Sequence, residues 1–225
     1  MIRRTIVLIP VLAVLLVASG NAQIQTKAAQ QVMTPAKALD LLKEGNGRFR
    51  DNKPKARDWK AAVEATSKGQ YPFATIVSCM DSRTSSELVF DQGLGDIFSV
   101  RVAGNVIDTD ILGSLEYAMK VAGSKLIVVI GHTHCGAVKG AIDDAKLGNL
   151  TALLAEIQPA IVASGPGTTK DDAYVDKVAE ANVRQSIKEI REKSPVLAEM
   201  LKSGTIGIVG AMYNIDNGRV TFYAD

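Results

Sequence analysis

The chain has 225 residues, 47% of them hydrophobic, and carries 26 basic against 24 acidic side chains. That is enough chain for one ordinary domain with a sizeable core. The near-balance of charge leaves no electrostatic footprint for nucleic acid, which excludes that class of partner.

The first 22 residues read as something other than fold. Met1-Ile2-Arg3-Arg4 is a short basic region, Thr5 to Val17 is almost wholly apolar, and Gly20-Asn21-Ala22 places small residues at −3 and −1 of a cleavage point. This is the pattern of a secretory signal peptide, with cleavage expected after Ala22. The apolar run falls short of the roughly 20 residues that cross a bilayer, and Pro10 interrupts it, so no stable membrane anchor is expected after cleavage. The paired arginines leave general and twin-arginine export both open. Their removal leaves 24 basic and 24 acidic residues on the mature chain, a net charge of zero. The expected product is an exported protein, periplasmic or secreted, in which residues 23–225 form a single domain and 23–69 a helical arm.

Residues 23 to about 33 are polar and alanine-rich, and read as a flexible start. Thr34-Pro35 opens a helix, with Thr as N-cap and Pro at its first position. Leu39, Leu42 and Phe49 recur there at roughly helical spacing, while Gly45 and Gly47 weaken its middle. A short helix is expected from about Lys60 to Ser67, ended by Gly69. Tyr71 to Ser78 is the first strand, and Ser85 to Phe90 allows one helical turn. Ile97 to Val102 is the second strand, ended tightly by Ala103-Gly104-Asn105. Asp108 caps a helix whose apolar face runs Ile111, Leu112, Leu115, Met119, and Gly123 stops it. Lys125 to Ile130 is the third strand. One helix is expected from Gly136 to about Leu147 and another from Asn149 to Val162, with a kink at Pro159. Asn149-Leu150-Thr151 matches a glycosylation acceptor, but a helix cap is the better use of it. A long helix spans Asp171 to Lys193 and a shorter one Pro195 to Lys202. Thr205 to Tyr213 is the fourth strand, and Asp216-Asn217-Gly218 turns into a fifth at Arg219 to Tyr223. This alternation predicts an α/β fold: a mostly parallel central sheet flanked by helices, with an N-terminal helical arm and a C-terminal hairpin.

The chemistry concentrates at two strand ends, where open α/β sheets build their sites. Ser78-Cys79-Met80-Asp81-Ser82-Arg83 follows the first strand, and Gly131-His132-Thr133-His134-Cys135-Gly136 follows the third. Two cysteines in an exported protein first suggest a disulfide, but a disulfide needs no His three residues before one cysteine and no Asp-x-Arg after the other. Side by side, the two ends offer Cys79, His132 and Cys135 as an S, N, S ligand set for zinc, with one position open. Asp81 is the group near enough to compete for that position. Arg83 can hold its carboxylate with two parallel hydrogen bonds and keep the position free; released, Asp81 would become a fourth ligand. A surface ion pair is the plainer reading of the same two residues.

Cys79-x-Asp81-x-Arg83 followed by His132-x-x-Cys135-Gly136 resembles the β-class carbonic anhydrases, over about Ala36 to the C-terminus. The resemblance implies one zinc per subunit on Cys79, His132 and Cys135, an Asp81–Arg83 catalytic dyad, and reversible hydration of CO2 to bicarbonate and a proton by zinc-bound hydroxide. It also implies substrate-pocket roles for Gln70, Phe98, Tyr117 and Gly136, some reaching the site from a partner subunit of a homodimer or tetramer. Read alone, Phe98 is a core strand residue, Tyr117 sits on a helix face and Gln70 ends a loop. Family members with an inhibitory bicarbonate pocket carry a tryptophan where this chain has Ile76, so the resemblance is to the subset with an open zinc. Where the family often has asparagine after the arginine matching Arg101, this chain has Val102. Other readings of the ligand set are a zinc hydrolase of carbonyl sulfide or carbon disulfide, a structural zinc closed by Asp81, and a metal-free disulfide protein.

Overall fold

Four of the apolar runs lie side by side as parallel strands. The computed structural model describes residues 24–223; the signal peptide assigned to 1–22 lies outside the described residues. The sheet contains β1 (Ala74–Ser78), β2 (Ile97–Arg101), β3 (Leu126–His132), β4 (Gly207–Tyr213) and β5 (Val220–Tyr223) in the order β2-β1-β3-β4-β5. Every pairing is parallel except β4 with β5, the terminal hairpin. The central strands β1 and β3 are buried along their whole length. Continuous apolar sequence is what a parallel strand covered on both faces requires.

Alternate residues divide the core. Ala74, Ile76, Val128 and Ile130 face one layer, which holds Ala38 and Leu42 of α2 (Pro35–Arg50), Val89 of α4 (Ser86–Val89) and Phe90. Val77, Ile127 and Val129 face the other, built from α5 (Thr109–Glu116), α9 (Asp172–Lys193) and α10 (Pro195–Lys202). A third cluster gathers Cys79, Cys135 and Val138 with α6 (Gly136–Ile142), α7 (Gly148–Ala155), α8 (Gln158–Ser164) and α9.

The arm lies on the chain's own core. Its start is not the flexible stretch expected: α1 (Lys27–Gln31) is a helix capped by Thr26. Gln30 is buried there, and its amide donates to Pro72 O at 2.8 Å and Ala122 O at 2.9 Å. These tertiary bonds give the polar segment an order that its own pattern does not specify. Thr34 caps α2, which runs through both glycines to Arg50. Before α3 (Trp59–Thr66), the arm is tied to Asp91, a buried carboxylate paired with both Arg48 of α2 and Arg57 of the following loop.

Three expected boundaries move. The helix after Cys135 stops at Ile142 rather than Leu147, because Asp144 turns left-handed at φ +51°. The helix expected from Asn149 to Val162 is two, α7 and α8, with Pro159 in the first turn of α8 instead of at a kink. Thr151 caps by accepting from Leu147 N at 2.9 Å. The third strand extends two residues past Ile130 and so includes His132. Among the described residues, no helix is long and apolar enough to cross a membrane.

Candidate metal centre

The register of β1 and β3 brings the two motifs together. Ser78 pairs with Ile130, so Cys79, one residue beyond β1, sits level with the end of β3, where His132 pairs with Tyr213 of β4. The chain then reverses through Thr133 and His134, the latter at φ +55°, and Cys135 becomes the N-cap of α6. Thr133 anchors this turn: its N–H donates to Tyr213 O and its Oγ1 accepts from Ile215 N at 3.1 Å.

The Cys79 and Cys135 sulfurs and a His132 ring nitrogen lie within 4.8 Å of one another, and all three residues are buried. A tetrahedral zinc with bonds of about 2.0–2.3 Å needs donors roughly 3.3–3.8 Å apart, which such a cluster accommodates. Both cysteines are free, so the disulfide reading is wrong. His132 Nδ1 is 2.8 Å from Thr133 O. A carbonyl can only accept, so Nδ1 carries the proton and Nε2 presents a lone pair. That Nε2 is buried without any partner. An orphaned acceptor facing two buried thiols is costly unless something electrophilic sits between them. The donor set therefore fits zinc.

The electrostatics agree. Cys135 donates its thiol hydrogen to Cys79, and with the help of the Gly104 and Asp81 N–H groups this lowers the Cys79 pKa despite its burial. The same shared hydrogen, with burial, pushes the Cys135 pKa up, although the N–H groups of Ala137 and Val138 pull the other way. Two thiols this close hold one proton between them; a dication takes its place and lets both ionise.

Asp81 stands in the arrangement in which Arg83 holds it. Arg83 Nε donates to Oδ1 at 2.9 Å, Arg83 Nη2 to Oδ2 at 2.8 Å and the Arg83 backbone N–H to Oδ1 at 3.0 Å. These bonds hold the carboxyl well below the usual carboxylate range. Asp81 Oδ2 remains 3.9 Å from His132 Nε2, at the edge of the cluster.

Two further groups fix the Cys79–Arg83 loop. Thr84 Oγ1 lies 3.0 Å from Cys79 O and 2.9 Å from Asp81 O. Arg101, on β2, donates from Nη2 to Asp81 O at 2.6 Å and from Nε to Cys79 O at 3.3 Å. Sequence reading did not find these roles, because both act on backbone carbonyls, which no motif records. His134 points away, to Asp172 and Asp216, each at 3.3 Å.

The remaining sequence-predicted residues divide. Gly136 directly follows Cys135 as the first residue of α6. Phe98 and Tyr117 meet edge to face at 6.4 Å in an open groove beside β2 and α5. Gln70 and Tyr117 share a second groove against α1. No metal-facing residue lines either groove, so within one chain Gln70, Phe98 and Tyr117 are not part of the centre.

Residues 74–220 match a family model described as carbonic anhydrase. Carbonic anhydrase 2 of Mycobacterium tuberculosis is 39% identical over 194 residues, covering 82% of this chain and 91% of that protein. The carbonic anhydrase of Mycolicibacterium smegmatis is 38% identical over 192 residues, covering 83% and 92%. Among solved structures, a Coccomyxa β-carbonic anhydrase in complex with acetazolamide aligns with TM-score 0.65 at 25% identity, covering 79% of this chain and 82% of that one. The β-carbonic anhydrase CcaA aligns with TM-score 0.67 at 25% identity, covering 82% and 87%.

Proposed function

This chain belongs to the β-class carbonic anhydrases, and from that premise we propose how its own residues carry out the reaction and where. It is a carbonate dehydratase, a zinc enzyme that interconverts CO2 and water with bicarbonate and a proton. The observation that carries this reading is the buried His132 Nε2, without a hydrogen-bond partner, beside two buried thiols within 4.8 Å.

Cys79, His132 and Cys135 hold the zinc. When bound, zinc supplies the Lewis acidity that brings a water ligand's pKa to about 7. Asp81, ionised throughout the working range, accepts a hydrogen bond from the attacking water and orients it. Arg83 keeps Asp81 in that role and out of the coordination sphere through its two-pronged grip. Gly136 offers a backbone N–H, free at the start of a helix, to a substrate oxygen.

Two finer readings go with this. Tyr117 is 53% exposed and shares its groove with Phe98 beside β2, an edge strand, and this surface suits a second copy of the chain in a homodimer or tetramer. The basic, apolar and small-residue order of residues 1–22 supports export to a periplasm or beyond.

Metal content and stopped-flow CO2 hydration on the mature protein test the reading. About one zinc per chain is expected, and Cys135→Ser should abolish both metal and activity, because a neutral hydroxyl is a poor zinc ligand. Zinc-loaded protein inactive across about pH 6–9, where such a water titrates, would refute it. N-terminal sequencing of exported protein should begin at Gln23; an intact Met1 would refute the leader.

A further inference from the structure

The Cys79 sulfur also depends on a helix that carries no metal ligand. Between β2 and α5 the chain makes a single 3-10 turn, Ala103–Asn105, in which Gly104 has φ +68° and Asn105 φ +45°. Two successive left-handed residues, one of them not glycine, are not a conformation a free turn keeps. Two side chains of α9 hold it. Asn182 Nδ2 donates to Gly104 O at 2.6 Å, and one helical turn later Ser186 Oγ donates to Asn105 O at 3.0 Å. Both are 2% exposed. The result is that Gly104 N–H points at Cys79 Sγ, 3.3 Å away.

The turn has no slack. A Cβ on Gly104 would lie 2.8 Å from Ile157 Cδ1 and 3.3 Å from Ala137 Cβ. The two sulfurs are also supported differently. Cys135 takes its backbone hydrogen bonds from Ala137 and Val138 in the first turn of its own helix. Cys79 has left its strand and begins no helix; besides the Asp81 N–H of its own loop, it takes a backbone donor from another element, Gly104. A thiolate that receives a directed N–H keeps its remaining lone pairs aimed, and partners of this kind are worth roughly 10- to 100-fold in metal affinity or activity.

We propose that Asn182 is a positioning residue for the metal centre: by gripping the Gly104 carbonyl it aims the Gly104 N–H at Cys79 and holds that sulfur in its metal-binding orientation. The inference rests on the zinc reading of the cluster. It extends the site across the third core cluster to α9, which supplies no metal ligand.

The test compares Asn182→Leu, similar in size but without a donor, with Thr75→Val. The latter removes another buried hydrogen bond, Thr75 Oγ1 to Ser124 Oγ at 3.1 Å, on β1. Urea unfolding establishes that both variants fold and how much stability each loses; should Asn182→Leu not fold, Asn182→Ala takes its place. Two readouts follow on the purified proteins: zinc release to a chromophoric chelator, and the thiolate-to-cobalt charge-transfer band after cobalt(II) substitution. The expected result is release about 10-fold faster or more and a displaced band in the Asn182 variant, with both unchanged in Thr75→Val. An Asn182 variant that matches Thr75→Val in both readouts would show that the residue only satisfies a buried carbonyl, and would overturn the proposal alone. Parent protein that takes up neither metal would overturn the zinc reading and this inference with it.

Discussion

Gly45→Ala should destabilise the protein, against the ordinary rule for helices. Alanine is favoured over glycine in a helix interior by about 1 kcal/mol. At Gly45, in the middle of α2, an added Cβ would lie 1.8 Å from Phe90 O and 2.7 Å from Phe90 C, both backbone atoms. Helix and loop would have to part by more than about 1 Å, and overpacking of that kind costs roughly 1–3 kcal/mol. The movement also pulls on the neighbouring Asn46. Its amide donates to Val89 O at 3.1 Å and Gly218 O at 2.9 Å and accepts from Val220 N at 2.9 Å. Leaving one of those buried groups unpaired adds about 1–3 kcal/mol. After the propensity gain, the net loss is about 1–5 kcal/mol, or roughly 2–20 °C in Tm for a chain of this size. Gly47, two positions along the same helix, has nothing within 4 Å of a built Cβ. Gly47→Ala should therefore gain up to about 1 kcal/mol. Urea titration and thermal melting at one fixed protein concentration measure both. Gly45→Ala as stable as the parent would refute the close approach of α2 to the Phe90 backbone.

Asp81→Asn should retain zinc while CO2 hydration falls about 10- to 100-fold; loss of zinc would mean that Asp81 is a ligand. The Asp81–Arg83 bonds hold that carboxyl far below the assay range, so the pair stays ionised from about pH 5 to 9 and activity changes there should follow the metal's water instead. Asp91→Asn should cost about 3–5 kcal/mol by stranding Arg48 and Arg57, read by urea unfolding at neutral pH. Burial pushes the Asp91 pKa up and the two guanidinium groups pull it down, with a net lowering. Its stabilisation is therefore complete above the unfolded carboxylate value near 3.9 and lost as pH falls through the folded value, so the variant should lose less on acidification below about pH 4 than the parent. Tyr117→Glu should shift sedimentation to smaller species without changing the circular dichroism; an unchanged assembly would refute an interface at the β2 edge.

Much of this was legible because it is local. Thr34-Pro35 specifies the start of α2 by cap and fixed φ, and the ranges of α9 and α10 followed from an Asp cap and a Pro. The three ligands could be read because thiols and imidazole at strand ends have few other uses. What could not be read is what depends on contact between distant segments. Gln30 orders α1 by bonding Pro72 and Ala122, and Gly45 marks a close approach although its sequence signal is only helix weakness. Arg101, Gly104 and Asn182 act on Cys79 and its loop through backbone groups, and a carbonyl or N–H leaves no residue-type signal.

The position of the centre follows from topology before any side chain is considered. From β1 the chain crosses to β2 on one side and then returns over β1 to β3 on the other, so the order reverses between β1 and β3. The segments leaving the carboxyl ends of those two strands diverge, and a crevice opens where they part. Cys79 begins one segment and His132 ends the strand that feeds the other. The charges then decide what the crevice can hold. Cys79, His132 and Cys135 are 5%, 1% and 1% exposed, and two thiolates buried that deeply cannot stand uncompensated. Two negative charges and one neutral imidazole are balanced by a dication and by no monovalent ion, while Arg83, across Asp81, adds a cation that is itself already paired. The same arithmetic gives Arg83 its importance: were Asp81 to swing in as a fourth donor, the centre would carry an excess negative charge and leave a guanidinium without its partner. The open position is therefore kept open by charge balance as well as by the hydrogen bonds that hold Asp81 aside.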